Sequence, residues 1–97
     1  MTDDPPVSRQ HIQDRIRAHI AAELWLSPER VHRSDRMIDL PGGSPSRLIR
    51  TIIKLEEEFG VWLPKSNPHW LTTLEAGAER IATALESARQ GSGSPHG

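Results

Sequence analysis

The chain contains no cysteine. Disulfide scaffolds, thiolate zinc sites and cysteine nucleophiles are therefore excluded. No stretch approaches the roughly 18 consecutive apolar residues that a membrane-spanning helix needs. Neither sign of charge is in excess: 12 Lys and Arg stand against 13 Asp and Glu, a net charge of -1. A near-neutral chain is a poor general polyanion binder, which argues against bulk nucleic-acid binding. The first residues, Met1-Thr2-Asp3-Asp4-Pro5-Pro6, are acidic and poor in apolar side chains. That is the opposite of a secretory signal, so a soluble cytoplasmic protein is expected.

The 97 residues make one small domain with one core, because a chain of this size buries only about 60–65% of its unfolded surface. Hydrophobic residues make up 35% of it, enough to place it outside the disordered class. Residues 1–7 read as an irregular lead. Residues 89–97 read as a flexible tail rich in Gly and Ser, with the domain over 8–88.

The periodic segments all have helical spacing. Ser8 is placed to cap a first helix, in which Ile12, Ile16, Ile20 and Leu24 form a stripe at four-residue steps. Ser27-Pro28 should end it near Leu26. A long connection over 31–43 follows, with Met37, Ile38 and Leu40 expected to tuck it onto the core. Ser44 and Pro45 fit the cap and first position of a second helix. Ile49, Ile52, Ile53 and Leu55 to Phe59 supply its expected apolar face, and Gly60 its stop. At most one helical turn fits around His69–Leu71. A last helix from Thr72 or Thr73 carries Leu74, Ala78, Ile81 and Leu85. Nothing alternates with period two. The expected fold is a small all-α bundle of three main helices plus one short one, in a monomer.

The order of these pieces resembles the acyl carrier protein and peptidyl carrier family over residues 8–88. The most specific match is Leu55-Glu56-Glu57-Glu58-Phe59-Gly60-Val61-Trp62-Leu63-Pro64, which resembles the end of that family's second helix. Leu71-Thr72-Thr73-Leu74 is similar to the start of its last helix, and Leu26-Ser27-Pro28-Glu29-Arg30-Val31 to the end of its first. The resemblance implies a serine at the start of the second helix bearing a 4′-phosphopantetheine arm. The family motif there is Asp-Leu-Gly-x-Asp-Ser-Leu, or Gly-Gly-His-Ser-Leu in peptidyl carriers. This chain has Asp39-Leu40-Pro41-Gly42-Gly43-Ser44-Pro45-Ser46.

Two anchors differ by one residue. Counting back from Leu55–Phe59 puts Pro45 at the modified position, and Pro has no hydroxyl. Counting forward from Asp39-Leu40 puts Ser44 there, with Ser46 the other nearby hydroxyl. A helix start suits a phosphodiester, through unpaired N–H groups and the positive end of the dipole. The plainer alternative is that Ser44 only caps the helix. The resemblance thus implies an acyl-carrier-like protein. It would present a thioester-bound acyl or aminoacyl group on phosphopantetheine to biosynthetic enzymes. Its partners would be a phosphopantetheinyl transferase and acyl- or aminoacyl-transferring enzymes. The alternative is an unmodified carrier-like interaction domain without the arm.

Charge along the second helix runs against the dipole, with Arg47 and Arg50 at its start and Glu56, Glu57 and Glu58 at its end. Lys54 lies between them. The family's second helix is usually acidic at its start, where basic partner enzymes dock. Here Arg47, Arg50 and Lys54 are the candidate partner-binding residues, facing an anionic surface, with a solvated face as the plain alternative. Removing the two arginines should cost the fold little. A small nucleic-acid binder using the same three cations is disfavoured by the net charge. Trp25 falls where the family commonly has Gly. For Trp25, Trp62 and Trp70, packing at the core or its rim is expected, and an exposed one would mark a binding surface. The five histidines show no metal-ligand spacing, and no nucleophile elbow is present, so neither metal binding nor catalysis is assigned to this chain.

Overall fold

One stripe of aliphatic side chains on the first helix organises the molecule. The computed structural model describes residues 8–91. Helix α1 spans Arg9–Leu24, capped by the Ser8 hydroxyl, which accepts from the His11 amide at 3.0 Å. Ile12, Ile16 and Ile20 on it are wholly buried. Burying each such side chain contributes about 1.5–3 kcal/mol. They pack against α2 (Pro45–Phe59) and α3 (Leu74–Gly91). Short 3-10 turns at Pro28–Arg30, Met37–Asp39 and Pro68–Trp70 punctuate the connections. The described residues contain no strand. The expected lead, 1–7, and residues 92–97 of the expected tail lie outside the described residues, and α3 continues to Gly91, past the boundary at 88.

The long connection is anchored where the sequence suggests. Met37 is fully buried, Ile38 and Leu40 lean on the core, and the Met37 amide donates to the Thr72 carbonyl at 2.8 Å. The turn at Pro68–Trp70 supplies the short helical element. Thr73 caps α3, its hydroxyl accepting from the Ala76 amide at 3.1 Å.

The apolar face of α2 is rotated from the expected one. Leu48, Thr51, Ile52 and Leu55 are buried, whereas Ile53 is 39% exposed and Glu56 to Glu58 are not core residues. Thr51 tolerates full burial because its hydroxyl donates to the Arg47 carbonyl at 3.0 Å.

The C-terminal end of α2 is bolted to α1 and to the following loop. Arg15 donates to Glu58 at 2.6 and 3.0 Å, and His19 lies 2.7 Å from the same carboxylate. The Arg15 guanidinium foremost, with help from His19 and against burial, holds the Glu58 carboxyl at about 2, below its ordinary 4.5. Glu56 accepts from Lys65 at 2.6 Å and from the Leu63 amide at 2.7 Å, which lowers its pKa as well.

At the other end the two helices meet again. Arg47 donates to the Glu23 carbonyl at 3.0 Å and lies 3.4 Å from the Glu23 carboxylate; Arg50 lies 3.7 Å from that carboxylate. Read from sequence, Arg47 opposed the dipole of its own helix. In the fold its guanidinium reaches the C-terminal end of α1, where a cation is favourable. Arg47 thus has a tertiary partner that its place in the sequence does not reveal.

Helix α1 ends at Leu24, two residues before the expected stop. The Leu26 amide donates to Ala21 at 2.8 Å and the Trp25 amide to Ala22 at 3.4 Å. This is the six-to-one and five-to-two pattern usually closed by Gly. Here Trp25 closes it, in the left-handed region at φ 61, at a cost of about 1–2 kcal/mol for a residue with a side chain. Its indole is 89% exposed, and that of Trp62 is 72% exposed. The expected packing of these two is overturned. Trp70 alone behaves as a rim residue, half-buried, with its indole N–H donating to the Pro64 carbonyl at 2.9 Å.

Two outcomes follow. Trp25→Gly should relieve the strained turn. Against it stands the greater freedom of Gly in the unfolded chain, leaving a gain of about 0.5–1 kcal/mol. The thermal midpoint should rise by roughly 2–8 °C; a fall would mean that the indole supports the fold. Glu58 has a depressed folded pKa. Its stabilisation is complete above the unfolded value of 4.5 and drains as pH falls toward about 2. After screening it is on the order of 2 kcal/mol. Glu58→Gln should flatten the stability profile across that window in acid-dependent denaturant titrations. A mutant profile parallel to wild type would refute the assignment.

Candidate functional site

The segment Pro41–Ser44 is fixed by main chain more than by side chains. Gly42 sits at φ 81, open to Gly without strain. Gly43 has its amide bonded to the Leu40 carbonyl at 2.8 Å. A Cβ on Gly43 would lie 2.7 Å from the Ile38 carbonyl oxygen and 2.8 Å from that of Met37, so two backbones touch there. Through Met37 the same turn is tied to the start of α3.

Ser44 emerges from this turn in extended conformation and caps α2. Its hydroxyl accepts from the Arg47 amide at 3.3 Å, and the residue is half-buried. Pro45 occupies the first helical position and brings no N–H. Of the first three helical positions, Pro45 has no amide hydrogen and the Arg47 amide is engaged, which leaves the Ser46 amide for an anion. Ser46 itself is exposed. A phosphate ester on Ser44 fits this arrangement: its free oxygens would take the Ser46 amide and replace Oγ, then the bridging ester oxygen, as acceptor at the Arg47 amide. It would meet fewer donors than at a helix start without Pro.

The three candidate cations lie at i, i+3 and i+7 along α2. Arg47 is tied to Glu23, as described; Arg50 is 69% exposed and shares that carboxylate; Lys54 is exposed. The Glu23 side chain is only 10% exposed, so the solvent-facing surface here is cationic. Sequence reasoning missed Glu23, because its role exists only once α1 and α2 lie antiparallel. It also missed the exposure of Trp25, for which the signal was present: a Trp where the resemblance expects Gly.

Two other features stand apart. A groove of about 450 Å³ between the start of α1 and the start of α3 is lined by Arg9, Gln13, Thr73, Glu75, Ala76 and Glu79, none of them in the segment 41–47. Among the described residues no group of three His, Asp or Glu is placed to hold a metal ion. No described helix is long and apolar enough to cross a membrane.

No family model matches the chain. Among solved structures it is similar to the HMG-ACPI domain from the CurA module of Lyngbya majuscula, solved by NMR. The TM-score is 0.75 at 16% identity, covering 92% of each chain. With its three packed helices and their connecting turns, the chain has the helical fold of an acyl carrier domain.

Proposed function

We propose that this chain is a non-catalytic, acyl-carrier-like protein, and that Ser44 bears a 4′-phosphopantetheine arm. One observation carries the reading: in an acyl-carrier-like fold, Ser44 is the hydroxyl residue that caps the second helix, on a turn held by backbone contacts. When bound, the arm supplies the thiol to which an acyl or aminoacyl group is attached for biosynthetic enzymes. The chain's own part is to hold the attachment oxygen at the surface and to offer a docking face beside it. The turn through Gly42 and Gly43 limits where that oxygen can go. Arg50 and Lys54 make the accessible docking face, for an acidic patch on the acyl- or aminoacyl-transferring partners. Arg47, committed to Glu23, holds that face in place. In this reading the protein works as a monomer in the cytoplasm and is loaded by a phosphopantetheinyl transferase.

The second reading, an unmodified interaction domain, is favoured by Pro45. It stands where the family motif has Leu, or Ser itself if the count back from Leu55–Phe59 holds, and removes an N–H that a phosphate could use.

Intact mass separates the two. Incubated with coenzyme A and a broad-specificity transferase, the wild type should gain one arm. Ser44→Ala should gain none, and Ser46→Ala should still be modified. A wild type that stays unmodified with both the broad-specificity enzyme and that of its own host would establish the arm-free reading instead.

A further inference from the structure

We propose that Trp25 anchors a docking surface for an acidic amphipathic helix of a partner protein. The inference builds on the basic face of α2 described above and names the element that would lie on it. It does not depend on whether Ser44 is modified.

The fold has no evident use for this indole. It is 89% exposed, and it sits in a left-handed turn that Gly would close without strain. Large apolar side chains held in water at a strained position are a recurrent mark of binding sites. Its surroundings specify the partner's chemistry. Two residues before it, the Glu23 carboxylate is covered by Arg47 and Arg50. One residue before it, Leu24 lies beneath the turn at Gly42, where an added Cβ would stand 3.7 Å from a Leu24 methyl. Trp25 therefore closes α1 where that helix meets the start of α2, two residues after the carboxylate that Arg50 shares.

From there the accessible cations Arg50 and Lys54 lie four residues apart along α2, a span of about 6 Å, with Arg47 held by Glu23 behind them. Carboxylates at three- and four-residue spacing on a second helix would match that span. On the α1 side of that stripe the exposed Trp25 would meet the apolar flank of such a helix. Glu57 is exposed beyond Lys54 and limits the acidic stretch to about two turns. Glu29 and Arg30, in the turn after α1, oppose each other in sign. A second copy of this chain fits less well. Its own acidic run is Glu56 to Glu58, and there Glu56 is engaged by Lys65 and Glu58 by Arg15 and His19.

The probe is a synthetic Leu/Glu peptide of about five helical turns, with Glu at three- and four-residue spacing, beside a scrambled peptide of the same composition. Binding to the full chain is measured by calorimetry at low and high salt, with sedimentation of the protein alone. The wild type should bind the ordered peptide and not the scrambled one, more weakly at high salt. Trp25→Gly and Arg50→Glu should each weaken binding by about tenfold or more. Trp62→Ala, which removes the other exposed indole, should leave it unchanged. The melting midpoint of Trp25→Gly, expected to hold or rise, excludes unfolding as the cause. Loss with Arg50→Glu but not with Trp25→Gly would overturn the anchor and leave the basic face standing. No binding by the wild type would overturn both. A wild-type dimer that Trp25→Gly dissolves would give the surface to a second copy and overturn the proposal. Loading of Ser44, followed by mass, reports separately on the arm.

Discussion

The stripe Ile12, Ile16, Ile20 on α1 is the constraint on which the rest of the structure depends. A single helix in water cannot hide such a stripe, and a chain this short has room for one core. Helices α2 and α3 therefore close on α1 from both sides, and the connections must supply what the helices cannot. Val31, Met37, Leu63 and Leu71, all at most 1% exposed, come from loops and turns. A loop that contributes core side chains is no longer free to wander. That is how the turn at Gly42 and Gly43 comes to present Ser44 in one place.

The polar contacts set direction where the apolar ones set proximity. Arg15 and His19 meet Glu58 at one end of the α1–α2 pair, and Glu23 meets Arg47 and Arg50 at the other. These contacts fix the antiparallel register of the two helices. Each is partly exposed and modest alone. Together they hold the start of α2 against the end of α1, so the helix cap, the cationic stripe and the unburied indole share one end of the molecule.

Much of the fold was legible in the chain. The caps Ser8 and Ser44, the stop at Gly60 and the anchoring role of Met37 follow from local chemistry and fall where expected. The errors have physical causes. The face of α2 was misplaced because adjacent aliphatic residues at 48–49 and 52–53 fit two neighbouring stripes, and the stripe that is buried runs through Thr51, whose hydroxyl is satisfied by the helix backbone. The end of α1 was set by an unexpected left-handed Trp rather than by Pro28. The site was legible only in part. Ser44 could be named as a cap from its neighbour Pro45, but the bond from Arg47 to the end of another helix depends on tertiary contacts that no local pattern encodes.

The Glu23 node has a built-in redundancy of charge. One nearly covered carboxylate is shared by two guanidinium groups, one mostly exposed and one less so. Such a group is doubly insured: if Arg50 swings away, Glu23 keeps Arg47 and is never stranded without a counter-charge. Releasing Arg50 therefore leaves no uncompensated carboxylate behind. A visitor bearing a carboxylate would find one arginine already on loan, and could take it without disturbing the joint between the helices.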